Sequence, residues 1–183
     1  MNKVLILFSI TLVAGAVFWL VTRDGERTQQ KPYNIGEFSV TTDTEGGGSG
    51  VDGIRKCSYT VSYQNKKIPL GSYEQRGTCE MSQTPTLSNG MLAVITQVYV
   101  FLYDPKTDRK IMLDPRSITG FNSFMEEREI DIYSDFPQKR FIVSGDTLQI
   151  IYTRKPGDSR VPQMLQFVSQ DNGKSFTFDP ETQ

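Results

Sequence analysis

Carboxylates are the side chains of this sequence with the clearest potential for chemistry, and they are concentrated in one segment. Glu126, Glu127, Glu129 and Asp131 fall close together, and Asp135 follows. Such a run could bind a cation, but it lacks the alternating aspartates and the glycine of a calcium loop. A second interpretation is a docking edge for a basic partner, where complementary charge raises the association rate. The third interpretation is a solvated surface that has no function.

Composition excludes most other routes to catalysis or metal binding. The 183 residues contain no histidine, so the chain lacks the usual general base near neutral pH and the commonest metal ligand. Two cysteines are too few for a structural zinc site without histidine. No spacing of carboxylates marks the acid–base pair of a glycosidase. We therefore expect no catalytic residues, no metal and no cofactor, in a protein that is not an enzyme.

The charge balance argues against nucleic acid as a partner. Lys and Arg total 20, Asp and Glu total 21, and the formal net charge is −1. Binding to a phosphate backbone requires a dense basic face, which this composition does not provide. We expect a protein partner instead.

The N-terminal segment predicts a membrane anchor. Residues 4–21 carry no charge, and as a helix they would extend roughly 27 Å, close to the ~30 Å hydrocarbon core of a bilayer. We favour an uncleaved signal anchor over residues 1–22, placed in a bacterial inner membrane with the C-terminal domain in the periplasm. Ala14-Gly15-Ala16 resembles a cleavage site, so a cleaved secretory signal is the first alternative. A buried soluble helix is the second.

The two cysteines indicate the compartment. Cys57 and Cys79 lie in segments with strand character and are 22 residues apart. A disulfide closing a loop of that size is worth about 3 kcal/mol and would favour an oxidising compartment such as the periplasm. Two independent buried thiols are the alternative.

The rest of the chain divides into a stalk and a domain. Residues 23–53 are polar and end in a segment with five glycines among residues 45–53, which predicts a flexible tether, with an outlying strand near residues 35–41. Residues 54–183 show mainly period-two alternation between turn signals. They predict an all-β domain of about nine short strands, arranged as an antiparallel meander or sandwich. We detect no internal sequence repeat.

Three segments within this domain have a specific interpretation. Residues 91–103 are strongly apolar and predict a central strand, either continuous or broken into two. Tyr99, Phe101 and Tyr103 share one face of that segment, which suits core packing better than a carbohydrate site. Residues 124–133 are ambiguous between a helical turn and a strand.

The last hairpin contains the most informative motif. Residues 169–176 read SQDNGKSF and fit the Asp-box pattern S-x-D-x-G-x-[ST]-[WF]. We expect Asp171 to accept backbone hydrogen bonds two residues on, and Gly173 to supply a positive φ. Ser169 and Ser175 would close the turn, and Phe176 would pack beneath it. This role is structural, and an ordinary Asp-Asn-Gly hairpin that matches by chance is the alternative.

Asp boxes recur in sialidases and other propeller proteins. A propeller needs at least four blades of four strands, or about sixteen strands in all. The nine strands predicted here are too few.

The layout as a whole resembles the periplasmic immunity proteins that are paired with type VI secretion lipase effectors. The resemblance rests on the N-terminal membrane signal, Cys57, the strand at residues 148–152 and the C-terminal segment 167–176. The chain differs in having no lipobox cysteine and in having Phe176 where many members have tryptophan. The resemblance implies an inhibitor that binds and blocks a phospholipase toxin delivered into the periplasm. An anchored accessory or assembly subunit of an envelope complex is the alternative.

Overall fold

A computed structural model describes residues 28–46, 53–132, 135–154 and 162–180. Within these ranges, no helix combines the length and the apolar character that crossing a bilayer requires. The predicted signal anchor at residues 1–22 and the glycines at 47, 48 and 50 lie outside the described residues, and the anchor therefore stays a prediction.

The described residues are mostly β-structure, which confirms the predicted all-β class. Thirteen strands are present: β1 (Thr28–Gln29), β2 (Tyr33–Ile35), β3 (Phe38–Glu45), β4 (Ile54–Tyr63), β5 (Lys66–Arg76), β6 (Thr86–Ser88), β7 (Met91–Ile95), β8 (Val100–Asp104), β9 (Arg109–Leu113), β10 (Gln138–Ser144), β11 (Thr147–Thr153), β12 (Met164–Ser169) and β13 (Thr177–Pro180). A 3₁₀ turn (Pro115–Ser117) and one short helix, α1 (Phe121–Glu127), connect β9 to β10.

The strands form three antiparallel sheets in chain order, whereas the sequence predicts about nine short strands in a meander or sandwich. The first sheet has the order β1-β3-β4-β5, with β2 also paired to β3. The second contains β6 to β9 and the third β10 to β13, each in sequential order. Successive four-stranded meanders are also the blades of a propeller. The described part of the chain holds two such sheets and the five-stranded first sheet, fewer than the four that a closed propeller needs.

The second sheet lies between two hydrophobic cores, which explains its strongly apolar sequence. Alternate residues of β7 face opposite sides: Leu92 and Val94 join the core shared with the first sheet, whereas Ala93 and Ile95 join the core shared with the third. All five residues of β7 are buried. The apolar segment 91–103 is therefore two neighbouring strands. Phe101 and Tyr103 are buried in the first core, as the core-packing interpretation predicts.

The folded domain begins before the predicted boundary at residue 54. β3 pairs with β4 along its full length, from Phe38 opposite Tyr63 to Glu45 opposite Lys56. Phe38 and Val40 are buried in the first core. Much of the predicted stalk 23–53 is therefore part of the first sheet. The sequence signal was weak because Thr42 and Thr44 occupy the buried side of β3, which lowers its hydrophobic contrast.

The edge strand β10 is joined to the second sheet through side chains. The amides of Lys139 and Val143 donate to Gln83 Oε1 at 3.1 Å and to Ser88 Oγ at 2.9 Å. The Lys139 side chain turns inward over the ring of Tyr152, with Nζ 5.5 Å from the ring centroid. Burial lowers the pKa of Lys139 to about 8. Backbone amides that already have acceptors, and a charge that points inward, both protect a strand edge against pairing with other chains.

Candidate functional site

The acidic segment forms the end of helix α1 and the turn that follows it, here called the acidic turn (residues 126–131). The amide of Ile130 donates to the carbonyl of Met125 at 2.9 Å, and the amide of Glu129 donates to the carbonyl of Glu126 at 3.2 Å. These two bonds define a Schellman motif, in which a residue with left-handed backbone ends the helix. Glu129 is that residue, with a φ of 51°. The structure therefore resolves the ambiguous segment as a helix end, and β10 begins only at Gln138.

Apolar contacts hold the acidic turn on the protein surface. Phe121 and Met125 on α1, and Ile130 and Ile132 after it, are buried in the core shared by the second and third sheets. Phe121, Phe124 and Met125 follow the i, i+3, i+4 spacing of a helix. Extending the sequence window three residues towards the N-terminus would have revealed this helix.

All four predicted contact acids are exposed. Glu126, Glu127, Glu129 and Asp131 face solvent. The carboxylate of Glu127 lies 3.8 Å from the guanidinium of Arg128 in a surface ion pair. The same guanidinium lies over the ring of Phe124, 4.1 Å from its centroid. An exposed pair of this kind contributes little stability.

Three of these acids occupy positions that disfavour them. Glu126 and Glu127 lie at the C-terminal end of α1, where the helix dipole disfavours negative charge by about 0.3–1 kcal/mol. Glu129 has the left-handed conformation that favours glycine, which costs other residues roughly 1–2 kcal/mol. Local stability therefore does not explain why glutamates stand at these positions.

Asp131 belongs to a different local structure. Its amide donates to the carboxylate of Asp135 at 2.9 Å, and its carbonyl accepts the amide of Asp135 at 2.9 Å. These bonds close a turn after the acidic segment. The carboxylate of Asp135 thus has a structural role in this turn, to which Asp131 contributes its backbone amide and carbonyl.

The Asp-box turn (residues 169–176) is held by a network centred on Asp171. Asp171 Oδ1 accepts the amides of Lys174 and Ser175, each at 3.0 Å, which are three and four residues on rather than the expected two. The hydroxyls of Ser169 and Ser175 donate to its two oxygens at 2.7 and 2.6 Å. Ser169 Oγ also accepts the amide of Gly173 at 2.7 Å.

This network changes the acidity of the carboxyl group and positions the turn. Hydrogen bonds from the hydroxyl and amide of Ser175, and from Ser169, hold the pKa of Asp171 well below its usual range. Asn172 and Gly173 have φ angles of 59° and 85°. Gly173 lies against Ile111 and Leu148, and Phe176 packs on the adjacent core. The bonds are all internal, so the turn braces the hairpin and offers little of Asp171 to a ligand.

The two predicted disulfide partners are joined. Cys57 and Cys79 form a disulfide with Cα atoms 5.2 Å apart, and both are buried in the first core. The bond connects the middle of β4 to the segment that leads into the second sheet. The prediction of a disulfide is confirmed, and the alternative of two independent thiols is wrong.

A groove that the sequence did not reveal lies between the first and second sheets. Its volume is about 350 Å³, and its lining comes from the β2–β3 turn, the end of β4, the β6–β7 turn and the β8–β9 turn. Tyr63 and Phe38 stack within it, with ring centroids 4.7 Å apart, and Leu87 is 42% exposed beside them. The contributing residues are far apart in sequence, so no local pattern could have identified the groove.

The described residues contain no group of three or more acids or cysteines arranged to hold a metal ion. Comparisons with family models, with curated proteins and with solved structures find no match for this chain. The functional interpretation therefore depends on the chain's own geometry and on the resemblance in layout.

Proposed function

We propose that this protein is an anchored periplasmic binding module, an immunity protein that binds and inhibits a type VI secretion lipase effector. The acidic turn is its contact surface, and the anchor at residues 4–21 holds it at the inner membrane. It acts by occlusion and not by catalysis.

The placement of the glutamates in the acidic turn is the observation that carries this proposal. Glu126, Glu127 and Glu129 are exposed, and each stands where its charge or its backbone conformation is unfavourable. Residues that lower the stability of a protein without a structural benefit are typical of functional sites. Exposed carboxylates on a well-packed helix end suit a basic partner surface, because they steer association.

Two further features support the location and the mode of action. The Cys57–Cys79 disulfide is the kind of bond that persists in an oxidising compartment. Buried residues on both sides of the acidic turn fix it on the core, and pre-organised surfaces bind with a smaller loss of entropy.

Co-expression with the protein encoded by the adjacent gene, which the proposal expects to be a lipase, tests the proposal. The lipase is directed to the periplasm, and cell survival and co-purification of the two proteins are measured. We expect survival and a stable complex. Cell death together with the absence of co-purification would contradict the proposal.

A charge-reversal comparison identifies the surface in the same assay. The triple variant Glu126→Lys, Glu127→Lys, Glu129→Lys should lose protection. A control triple, Glu74→Lys, Glu80→Lys, Asp179→Lys, replaces three acids that are also exposed and should protect as the natural protein does. Asp131 is left intact so that the charge reversal is confined to the three glutamates.

A further inference from the structure

We infer that the groove between the first and second sheets binds an extended peptide anchored by one aromatic side chain. This peptide groove consists of Glu37, Phe38, Tyr63, Leu87, Pro105 and Lys106, with Gly36 and Gly90 at its edges. The inference goes beyond the proposed function, because it assigns a second binding surface that is independent of the lipase.

The peptide groove lies away from the acidic turn. It is built on the β6–β7 and β8–β9 turns, which in a meander lie at the same end of the second sheet. The connection from β9 through α1 to β10 leaves that sheet from the opposite end. No residue is shared between the two surfaces, so each can be altered separately.

The apolar part of the groove has the size and lining for an aromatic side chain. Its volume of about 350 Å³ is at the small end of ligand pockets. The stacked rings of Phe38 and Tyr63 provide an aromatic wall, and rings of this kind favour offset or edge contacts with another ring. Leu87 and Pro105 complete the apolar lining.

The absence of a side chain at Gly36 keeps the groove accessible. Its φ of +55° suits glycine, and a Cβ there would lie 3.6 Å from Leu87 Cδ2. Any larger side chain at this position would extend further over the groove.

The charged side chains at the rim of the peptide groove can form hydrogen bonds with a peptide backbone. Glu37 and Lys106 are both exposed, and within the described ranges neither forms a salt bridge. A carboxylate can accept from a backbone N–H, and an ammonium group can donate to a backbone carbonyl. The two groups on either side of an anchored side chain are an N–H and a carbonyl.

A neighbouring polar groove would accommodate the continuation of the peptide. It has a volume of about 440 Å³ and shares Glu37 and Tyr63 with the peptide groove. The remainder of its lining is polar: Ser39, Ser62, Gln64 and Asn65. Hydroxyl and amide side chains both donate and accept hydrogen bonds, which suits a polar stretch of peptide. A saccharide would suit the polar groove. In the peptide groove, however, the side chains of Phe38, Leu87 and Pro105 offer it no hydrogen bonds.

Amide chemical shifts of the full-length, ¹⁵N-labelled protein in detergent micelles test the inference. The probes are a capped Ser-Trp-Ser tripeptide, a capped Ser-Ala-Ser tripeptide and chitotriose. We expect the tryptophan peptide to shift the amides of Gly36, Leu87 and Gly90 with an affinity in the millimolar range, and the alanine peptide to leave them unchanged.

Matched variants locate the site. Leu87→Asp should weaken binding of the tryptophan peptide roughly tenfold, as loss of an anchor contact does. Met112→Asp replaces a side chain that is also exposed, at 54% against 42% for Leu87, and should bind as the natural protein does. Lys106→Glu should also weaken binding, and this replacement at an exposed turn leaves the cores intact.

Three results would overturn the inference: no shift at the three amides, equal shifts from both peptides, or shifts produced by chitotriose instead. None of these depends on the lipase. A protein that binds the peptide but fails to protect cells would refute the proposed function and leave the peptide groove in place.

Discussion

The Asp-box turn and the acidic turn both concentrate carboxylates in a surface turn, and they use them in opposite ways. In the Asp-box turn, the two oxygens of Asp171 receive four hydrogen bonds from the turn itself. In the acidic turn, three glutamates face solvent at positions that disfavour them. In the Asp-box turn, the local structure accounts for the carboxylate. In the acidic turn, it does not account for the three glutamates.

This difference separates a structural motif from the proposed contact surface. A residue type that its surroundings require is explained by the fold, and its replacement should lower stability. A residue type that its surroundings disfavour needs a reason outside the fold, and its replacement should raise stability while reducing binding. The following predictions test that contrast.

Gly173→Ala should have the largest effect, a loss of about 2–3 kcal/mol in the free energy of unfolding. An added Cβ would overlap the side chain of Ile111 and lie 2.9 Å from Leu148 Cδ1, at a φ of +85°. Urea unfolding measures the loss.

Gly145→Ala is the matched control for that prediction. Gly145 also has a positive φ, of +59°, but a Cβ there would meet no atom within 4 Å. Its replacement should cost about 1 kcal/mol, from the backbone conformation alone. Equal losses for the two variants would show that packing under the Asp-box turn contributes nothing.

Asp171→Asn should lower the melting temperature at neutral pH, and the loss should shrink in acid. The hydrogen bonds to its carboxylate hold the pKa of Asp171 below its usual range. The stabilisation is therefore present above the unfolded pKa of about 3.9 and is lost as the pH falls towards the lower folded pKa. Melting curves between neutral and acidic pH measure it. Asp179→Asn, at an exposed position on β13, is the control, and a pH-independent loss in Asp171→Asn would contradict the account.

The sequence predicted those features that depend on neighbouring residues. Alternation within residues 54–183 predicted short strands, and the Asp-box motif at residues 169–176 predicted the turn between β12 and β13. The disulfide was predictable because the chain offers only two cysteines, Cys57 and Cys79.

Features that depend on distant residues were not predictable. All three sheets contain strands that pair in sequential order, yet they use different residues: both faces of the second sheet are apolar, while the first sheet has one polar face. No sequence repeat therefore marks the repeated architecture. The peptide groove likewise combines three turns with the end of β4, and the unfavourable placement of Glu129 becomes visible only once its φ is known.

Glu129→Gly should raise the free energy of unfolding by about 1 kcal/mol, because glycine adopts the left-handed conformation without strain. It should also weaken partner binding through the lost charge. Glu127→Gly is the control: Glu127 is the last residue of α1, and glycine in a helix costs about 0.5–1 kcal/mol. Chemical unfolding of both variants should give changes of opposite sign, and a loss in Glu129→Gly would remove the argument from backbone conformation.

Glu126→Lys should have the smallest effect on stability, a gain of about 0.3–0.5 kcal/mol at low salt. The reversed charge suits the C-terminal end of α1, and added salt should reduce the gain by screening. Thermal unfolding at two salt concentrations measures it. Glu74 lies on strand β5 and not at a helix end. Glu74→Lys should therefore show no comparable gain in stability.

The association rate with the lipase tests the central claim most directly. Stopped-flow measurements would compare the natural protein with the variant Glu126→Lys, Glu127→Lys, Glu129→Lys and with the control Glu74→Lys, Glu80→Lys, Asp179→Lys, at low and high salt. We predict that the first variant associates roughly tenfold or more slowly at low salt, with the difference shrinking as salt is added, while its stability is unchanged or higher. Association as fast as that of the control would contradict the claim that the acidic turn is the contact surface.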